Sequence, residues 1–129
     1  MKLSTKECDG YTLVKVEEDI TYANVREFFA TLDDIIENDV LDVVLDMEDV
    51  PYITSRGLGA IVHSYTVLSK RGGTLIVVSD SEDVLSSFAV TKLDKILSIV
   101  PTLKAAEEEL VRARKEAEEA KAAEEEAKA

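Results

Sequence analysis

Apolar and polar positions alternate with period two from Lys2 to Cys8 and again from Tyr11 to Glu17, as half-buried strands require. Asp9–Gly10 between them is a strong hairpin signal. In the second strand Val14 and Val16 share a face with Thr12, while Leu13 and Lys15 take the other. Glu18–Tyr22 reads as a loop. Asn24 is placed to cap a helix running to about Asn38, whose apolar residues Phe28, Leu32, Ile35 and Ile36 recur at three and four. Val43-Val44-Leu45 is a short continuous apolar run, which suits a central strand covered on both faces.

A loop over Glu48–Ile53 leads into a second helix, Ser55 to about Arg71. Leu58, Ile61, Val62, Tyr65 and Leu68 form its apolar stripe, and Gly72–Gly73 ends it. Thr74–Ser79 (TLIVVS) is another buried strand. Asp80 or Ser81 caps a short helix holding Val84, Leu85 and Phe88. A short edge strand around Ile96–Ile99 is stopped by Pro101. The order β-β-α-β-α-β-α-β-α places helices between the later strands, which implies parallel pairing and an α/β sandwich.

From Thr102 onward the chain is almost entirely Ala, Glu, Lys and Arg, good helix formers. Leu103, Leu110 and Val111 can pack back on the body, and Glu108–Arg112 and Glu124–Lys128 have the acid-first i,i+4 order. Beyond Val111 no large apolar side chain remains, so the far half is a solvated helix. A weak alanine seam (Ala106, Ala113, Ala117, Ala120) is less telling than that simple exposure. The expected division is a domain over residues 1–100 and a helical extension over residues 101–129.

Composition narrows the function. The chain has 129 residues and a net charge of −12, with no Trp, so its core must be aliphatic. An acidic surface repels phosphate backbones and anionic lipid, which argues against nucleic acid or membrane partners. It suits a protein partner. One cysteine, Cys8, cannot form an internal disulfide, and an inert, buried thiol in a reducing compartment is the expectation. The N-terminus has no secretory apolar region, and no apolar run approaches the ~18 residues needed to cross a bilayer. The chain therefore reads as cytoplasmic. Nothing in it sets an oligomeric state.

Chemistry concentrates where the loop meets the second helix, at Thr54-Ser55-Arg56-Gly57-Leu58-Gly59. A nucleotide phosphate loop fails, because there is no Gly-Lys-Ser/Thr and no G-x-G-x-x-G. A nucleophilic serine needs a base within reach. The sole histidine, His63, is eight residues along the same helix, about 12 Å of axial rise away. A lone histidine off the apolar stripe is no metal site, and no cofactor is expected. A phosphoacceptor or docking serine fits better. Thr54 is a natural N-cap and Ser55 opens the first turn. A phosphate on Ser55 adds about −1.5 to −2 charge, which a helix N-terminus welcomes by about 0.3–1 kcal/mol. Asp46, Glu48 and Asp49 deepen the negative patch, Arg56 offsets part of it, and Gly57 and Gly59 leave room for a partner to approach. On the residues alone, the simpler reading is that Thr54 and Ser55 only cap a helix, because helices starting with Ser or Thr are very common.

The segments LDVVLDMEDVPYITSRGLGAIV, KRGGTLIVVS and VTKLDKIL make the chain resemble the STAS domain family over roughly residues 3–100. The family pattern is a strand ending in Asp, a loop to an aromatic, then Asp-Ser-Ser/Ala-Gly-Leu-Gly, a helix, a Gly-Gly strand and a closing Leu-Asp-x-Ile/Leu. The resemblance implies a mixed central sheet with helices mainly on one face and the first strand at an edge. It also implies a stand-alone anti-sigma factor antagonist rather than an enzyme. Such a protein binds an anti-sigma factor that is also a serine kinase of the histidine-kinase-like ATPase fold. Phosphorylation of the motif serine, which falls on Ser55, releases it, and a serine phosphatase resets it. Thr54 stands where the motif has Asp, and Arg56 follows the acceptor, so Thr54 is a competing acceptor. The expected contact face is Thr54, Ser55, Arg56, Gly57 and Leu58 with the loop around Asp19, Thr21 and Tyr22. The alternative within the family is a regulatory or scaffold subunit of a transporter or stressosome-like complex that does not cycle through a phosphate.

Overall fold

The computed structural model describes residues 1–128. Five strands, β1 (Leu3–Cys8), β2 (Tyr11–Val16), β3 (Asp42–Asp46), β4 (Thr74–Val78) and β5 (Ser98–Val100), form one sheet in sequence order. β1 is an edge strand, antiparallel to β2, and every later pair is parallel. The connections are helices α1 (Val25–Glu37), α2 (Ser55–Lys70) and α3 (Glu82–Val90), and α4 (Leu103–Lys128) follows β5. The element order is the one the hydrophobic pattern predicts, and the sheet is mixed as the family resemblance implies.

Alternation along the strands sorts the core into two layers. Val14, Val16, Val43, Leu45, Leu75 and Val77 face one side and pack with Phe28 and Leu32 of α1, Ile61 and Leu68 of α2, and Val84 and Phe88 of α3. Val44, Ile76 and Val78 face the other side, under Ala106 and Leu110 of α4. Three helices thus cover one face and α4 covers the second. The central strands are continuous apolar runs because both faces are dry.

α4 reaches the sheet through Leu103, Ala106 and Leu110, one stripe at i, i+3 and i+7. Val111 is 66% exposed, so its expected packing does not occur: it lies one residue past the stripe and points to water. The Arg114 guanidinium bonds the Asp42 carboxylate at 3.1 Å and donates to the Gly10 carbonyl. These contacts hold the middle of α4 across the start of β3 and the β1–β2 turn. On its outer face Arg112 pairs with Glu109 and Glu116 rather than with Glu108.

Other departures have local causes. On α2 the buried face is Gly57, Leu58, Ala60, Ile61, Ser64 and Leu68, while Val62 is only partly buried. Small residues line the side that approaches its neighbours most closely. Gly72 closes α2 at φ 80°, and a Cβ on Gly73 would lie 2.0 Å from the Leu41 carbonyl oxygen, so the Gly-Gly pair is needed on both counts. β5 begins at Ser98, not Ile96, because a 3-10 turn over Leu93–Lys95 puts Leu97 in the core and leaves Ile96 57% exposed. Cys8 is half-buried at the end of the edge strand rather than enclosed.

Candidate functional site

Two loops meet at the carboxyl ends of β2 and β3. Ile20 and Ile53 pair as an isolated parallel bridge. The Ile20 N–H donates to the Tyr52 carbonyl at 2.9 Å, and the Thr54 N–H donates to the Ile20 carbonyl at 2.9 Å. Both isoleucines are buried. The bridge carries the β2–β3 partnership one step beyond the strands, and sets the Asp19–Tyr22 loop against the mouth of α2.

The β2–α1 loop is pinned from its other side by Asn24. This residue does not cap α1 with its side chain, contrary to expectation. Its Oδ1 accepts from the Thr21 N–H at 2.8 Å, while Nδ2 donates to Glu18 Oε1 and to the Asp19 carbonyl, each at 2.7 Å. The side chain faces back into the loop, where it satisfies three groups instead of one. Glu18 also accepts from the Lys2 N–H at 2.7 Å. That backbone donor first, and Asn24 second, hold the Glu18 carboxyl below its ordinary value.

Thr54 occupies the N-cap position of α2 with extended φ −75° and ψ 160°. Its carbonyl accepts the first helical bond, from the Leu58 N–H at 3.1 Å. Its hydroxyl does not cap. Thr54 is 1% exposed, and its Oγ1 has no partner among the described residues. The side chain points into the body, so the Thr54 hydroxyl is covered rather than presented at the surface. Ser55, the next residue, is exposed at the first position of the helix.

Gly57 and Leu58 also differ from expectation. Gly57 is buried, and a Cβ there would sit 2.7 Å from Ile53 Cγ1 and 2.9 Å from Ile20 Cγ2. It serves the packing of α2 on the isoleucine bridge, not the approach of a partner. Leu58 is 6% exposed and belongs to the core. Gly59 does have open space at its Cβ position. Asp46 is 4% exposed and accepts from the Glu48 N–H at 3.1 Å, so only Glu48 and Asp49 of the three acids are exposed.

The accessible face is therefore Asp19, Tyr22, Ser55 and Arg56, with Thr21 partly covered. Two hollows flank the start of α2. Ser55 opens on the one toward α3, beside Tyr52, Ser86, Val90 and Thr91. Arg56 opens on the other, toward α1, beside Arg26 and Phe29. The two neighbours line different hollows. The α3 side of the Ser55 hollow lies outside the face expected from the sequence. Its signal was Val90, an apolar residue off the Val84/Phe88 stripe and 79% exposed.

His63 stacks on Phe29 with ring centroids 5.9 Å apart, and its Nε2 is 3.8 Å from Asp33. It faces α1, away from Ser55. Among the described residues no three His, Cys, Asp or Glu side chains gather as a metal site requires, and no helix is long and apolar enough to cross a membrane.

The chain matches the STAS domain family over residues 2–106. It belongs to that family. This STAS chain is 29% identical over 105 residues to a Thermotoga maritima protein assigned as an anti-sigma factor antagonist, spanning 81% of this chain and 93% of the relative. It is 34% identical over 58 residues to the anti-sigma-B factor antagonist of Bacillus subtilis, 45% of this chain and 53% of that one. The crystal structure of a Thermotoga maritima protein similarly assigned superposes with a TM-score of 0.79 at 28% identity, over 84% of this chain and 93% of that one. The STAS match ends within α4, and the remainder of that helix runs on beyond it.

Proposed function

We propose that this STAS chain is an anti-sigma factor antagonist, a protein-binding switch set by the charge on Ser55. In this reading it is not an enzyme. It binds an anti-sigma factor that is also a serine kinase while Ser55 is unmodified, lets go once Ser55 is phosphorylated, and is reset by a serine phosphatase. One observation carries the reading. Of the two hydroxyls at the mouth of α2, Thr54 is buried and Ser55 is exposed, so a kinase meets a single acceptor there. The relatives named as anti-sigma factor antagonists support the partner class.

The physics of release follows. The N-terminus of α2 tolerates an anion, so the fold survives modification. The hollow beside Ser55 contributes hydroxyl, aromatic and aliphatic groups but no cation. A phosphate there must stay hydrated, and a partner that covers it buries a charge without a counter-ion, at a cost of several kcal/mol.

Phosphopeptide mass spectrometry on protein isolated from its host, combined with pull-down of Ser55→Ala and Ser55→Asp, tests the reading. Phosphate on Ser55, retention of a kinase-type partner by the alanine variant and its loss by the aspartate variant are expected. A chain that never carries phosphate and whose partners ignore both substitutions is instead a non-cycling scaffold or transporter subunit.

A further inference from the structure

The groove between α1 and α2 lies on the far side of Ser55 from the hydroxyl-lined hollow. It encloses about 600 Å³. Val25, Phe29 and Ala30 supply its apolar wall, and Gly59 supplies none, which leaves the α2 side open. Phe29 is 38% exposed although it is aromatic. Two cations, Arg26 from α1 and Arg56 from α2, line the same groove, with one carboxylate, Asp33. Neither arginine has a carboxylate within 4.0 Å among the described residues. In a chain of net charge −12 this is a local excess of positive charge around an apolar cleft.

We infer that the α1–α2 groove is a second docking subsite of the partner face, built for a protein segment that carries a bulky apolar side chain flanked by carboxylates. Charge complementarity selects that occupant. Arginine forks pair carboxylates bidentately and stack on aromatic rings, and the wall from Val25 to Ala30 takes the apolar side chain. A basic segment is repelled by the two arginines, and a nonpolar one forgoes them. The subsite rests on the proposed function for its biological partner but not for its chemistry. Because Ser55 opens on the opposite side of α2, it makes no contact with the groove's occupant, and at about 0.15 M salt its charge is largely screened from it. The gate and the grip are then separate: the groove holds the partner's identity, and Ser55 controls release.

The test uses the full chain and a fluorescein-labelled hexapeptide with two acidic residues on each side of a Leu-Phe pair, against the same peptide with lysines as flanks. Fluorescence anisotropy at low salt should show the acidic peptide binding at least ~10-fold tighter than the basic one, with the difference shrinking as salt rises. The double variant R26E/R56E should reverse the order. Gly59→Leu should weaken the acidic peptide by about 10-fold by filling the open side. Both changes are at exposed positions, and circular dichroism checks that the variants are folded. At about 0.15 M salt, Ser55→Asp should change peptide binding by less than about 3-fold. Equal binding of the two peptides, or no saturable binding up to about 1 mM, overturns the subsite while leaving the Ser55 switch to its own pull-down test. Peptide binding that is lost in Ser55→Asp overturns the separation of grip from gate.

Discussion

Ile20 and Ile53 form one parallel bridge outside any strand, and Gly57 of α2 lies against both side chains. This three-residue contact joins the β2–α1 loop, the β3–α2 loop and the helix that presents Ser55. The spacing leaves no room for a methyl group, since an added Cβ meets Ile53 at 2.7 Å and Ile20 at 2.9 Å.

Gly57→Ala should therefore destabilise the fold even though alanine is the better helix former. Overpacking of this kind costs about 1–3 kcal/mol. Urea denaturation measures it. Ile53→Ala made together with Gly57→Ala should recover part of the loss in a double-mutant cycle. Simple additivity of the two would show that the contact is not tight.

Thr54→Val should be neutral or stabilising. The side chain keeps its shape and loses a buried hydroxyl whose desolvation costs about 1–3 kcal/mol when it has no partner. A hydroxyl that caps the helix would give the opposite sign, a loss of about 1 kcal/mol. The urea midpoint of the single variant decides between them.

Ser55→Asp should melt at or slightly above the wild-type temperature, because a carboxylate in the first turn of a helix adds about 0.3–1 kcal/mol. The gain should fade in high salt. A lowered melting temperature would mean that loss of a partner in this variant reports unfolding and not gating.

Acid should loosen the Asp19–Tyr22 loop before it unfolds the sheet. The Glu18 carboxyl is held below its ordinary value of 4.5 by the Lys2 N–H and by Asn24. Its contribution is complete above that value and is lost as pH falls through the lowered folded-state value. Amide-exchange protection at Lys2 and Thr21 should drop on going from about pH 6 to about pH 3, while that of β3 and β4 persists. Glu18→Gln should show weak protection at both pH values.

Removing Leu110 from beneath α4 should be far more damaging than removing the end of the helix. Leu110 is 3% exposed on the second sheet face, and Leu→Ala at such a site costs about 2–5 kcal/mol. Truncation after Lys115 takes away residues that, among those described, are all exposed, and should leave the melting temperature nearly unchanged. Truncation before Leu103 uncovers Val44, Ile76 and Val78, and should give an aggregating protein in size-exclusion chromatography.

The elements were legible because each carries its own period. The short apolar runs at Val43–Leu45 and within Thr74–Ser79 suited buried strands, Phe28, Leu32 and Ile36 suited one face of a helix, and Gly72–Gly73 suited a helix end. The place of Ser55 at the start of α2 was legible as well, from the strand and loop before it and the glycine-containing helix after it. The direction of neighbouring side chains was not. Thr54 looks like a cap in one dimension, yet the Ile20 bridge draws its backbone inward and buries the hydroxyl. Gly57 looks like a gap, yet two distant isoleucines fill it. Asn24 looks like a helix cap, yet it serves the loop behind it.

What the chain alone determined is local: strand, helix and turn preferences follow from side-chain periodicity and backbone freedom, which depend on residues a few positions apart. Which hydroxyl faces water, and which arginine lines which groove, depended on contacts between segments tens of residues apart, such as Ile20 with Ile53 and Asp42 with Arg114. Those contacts exist only once the sheet has closed, because the sheet alone brings the loop ends within bonding distance.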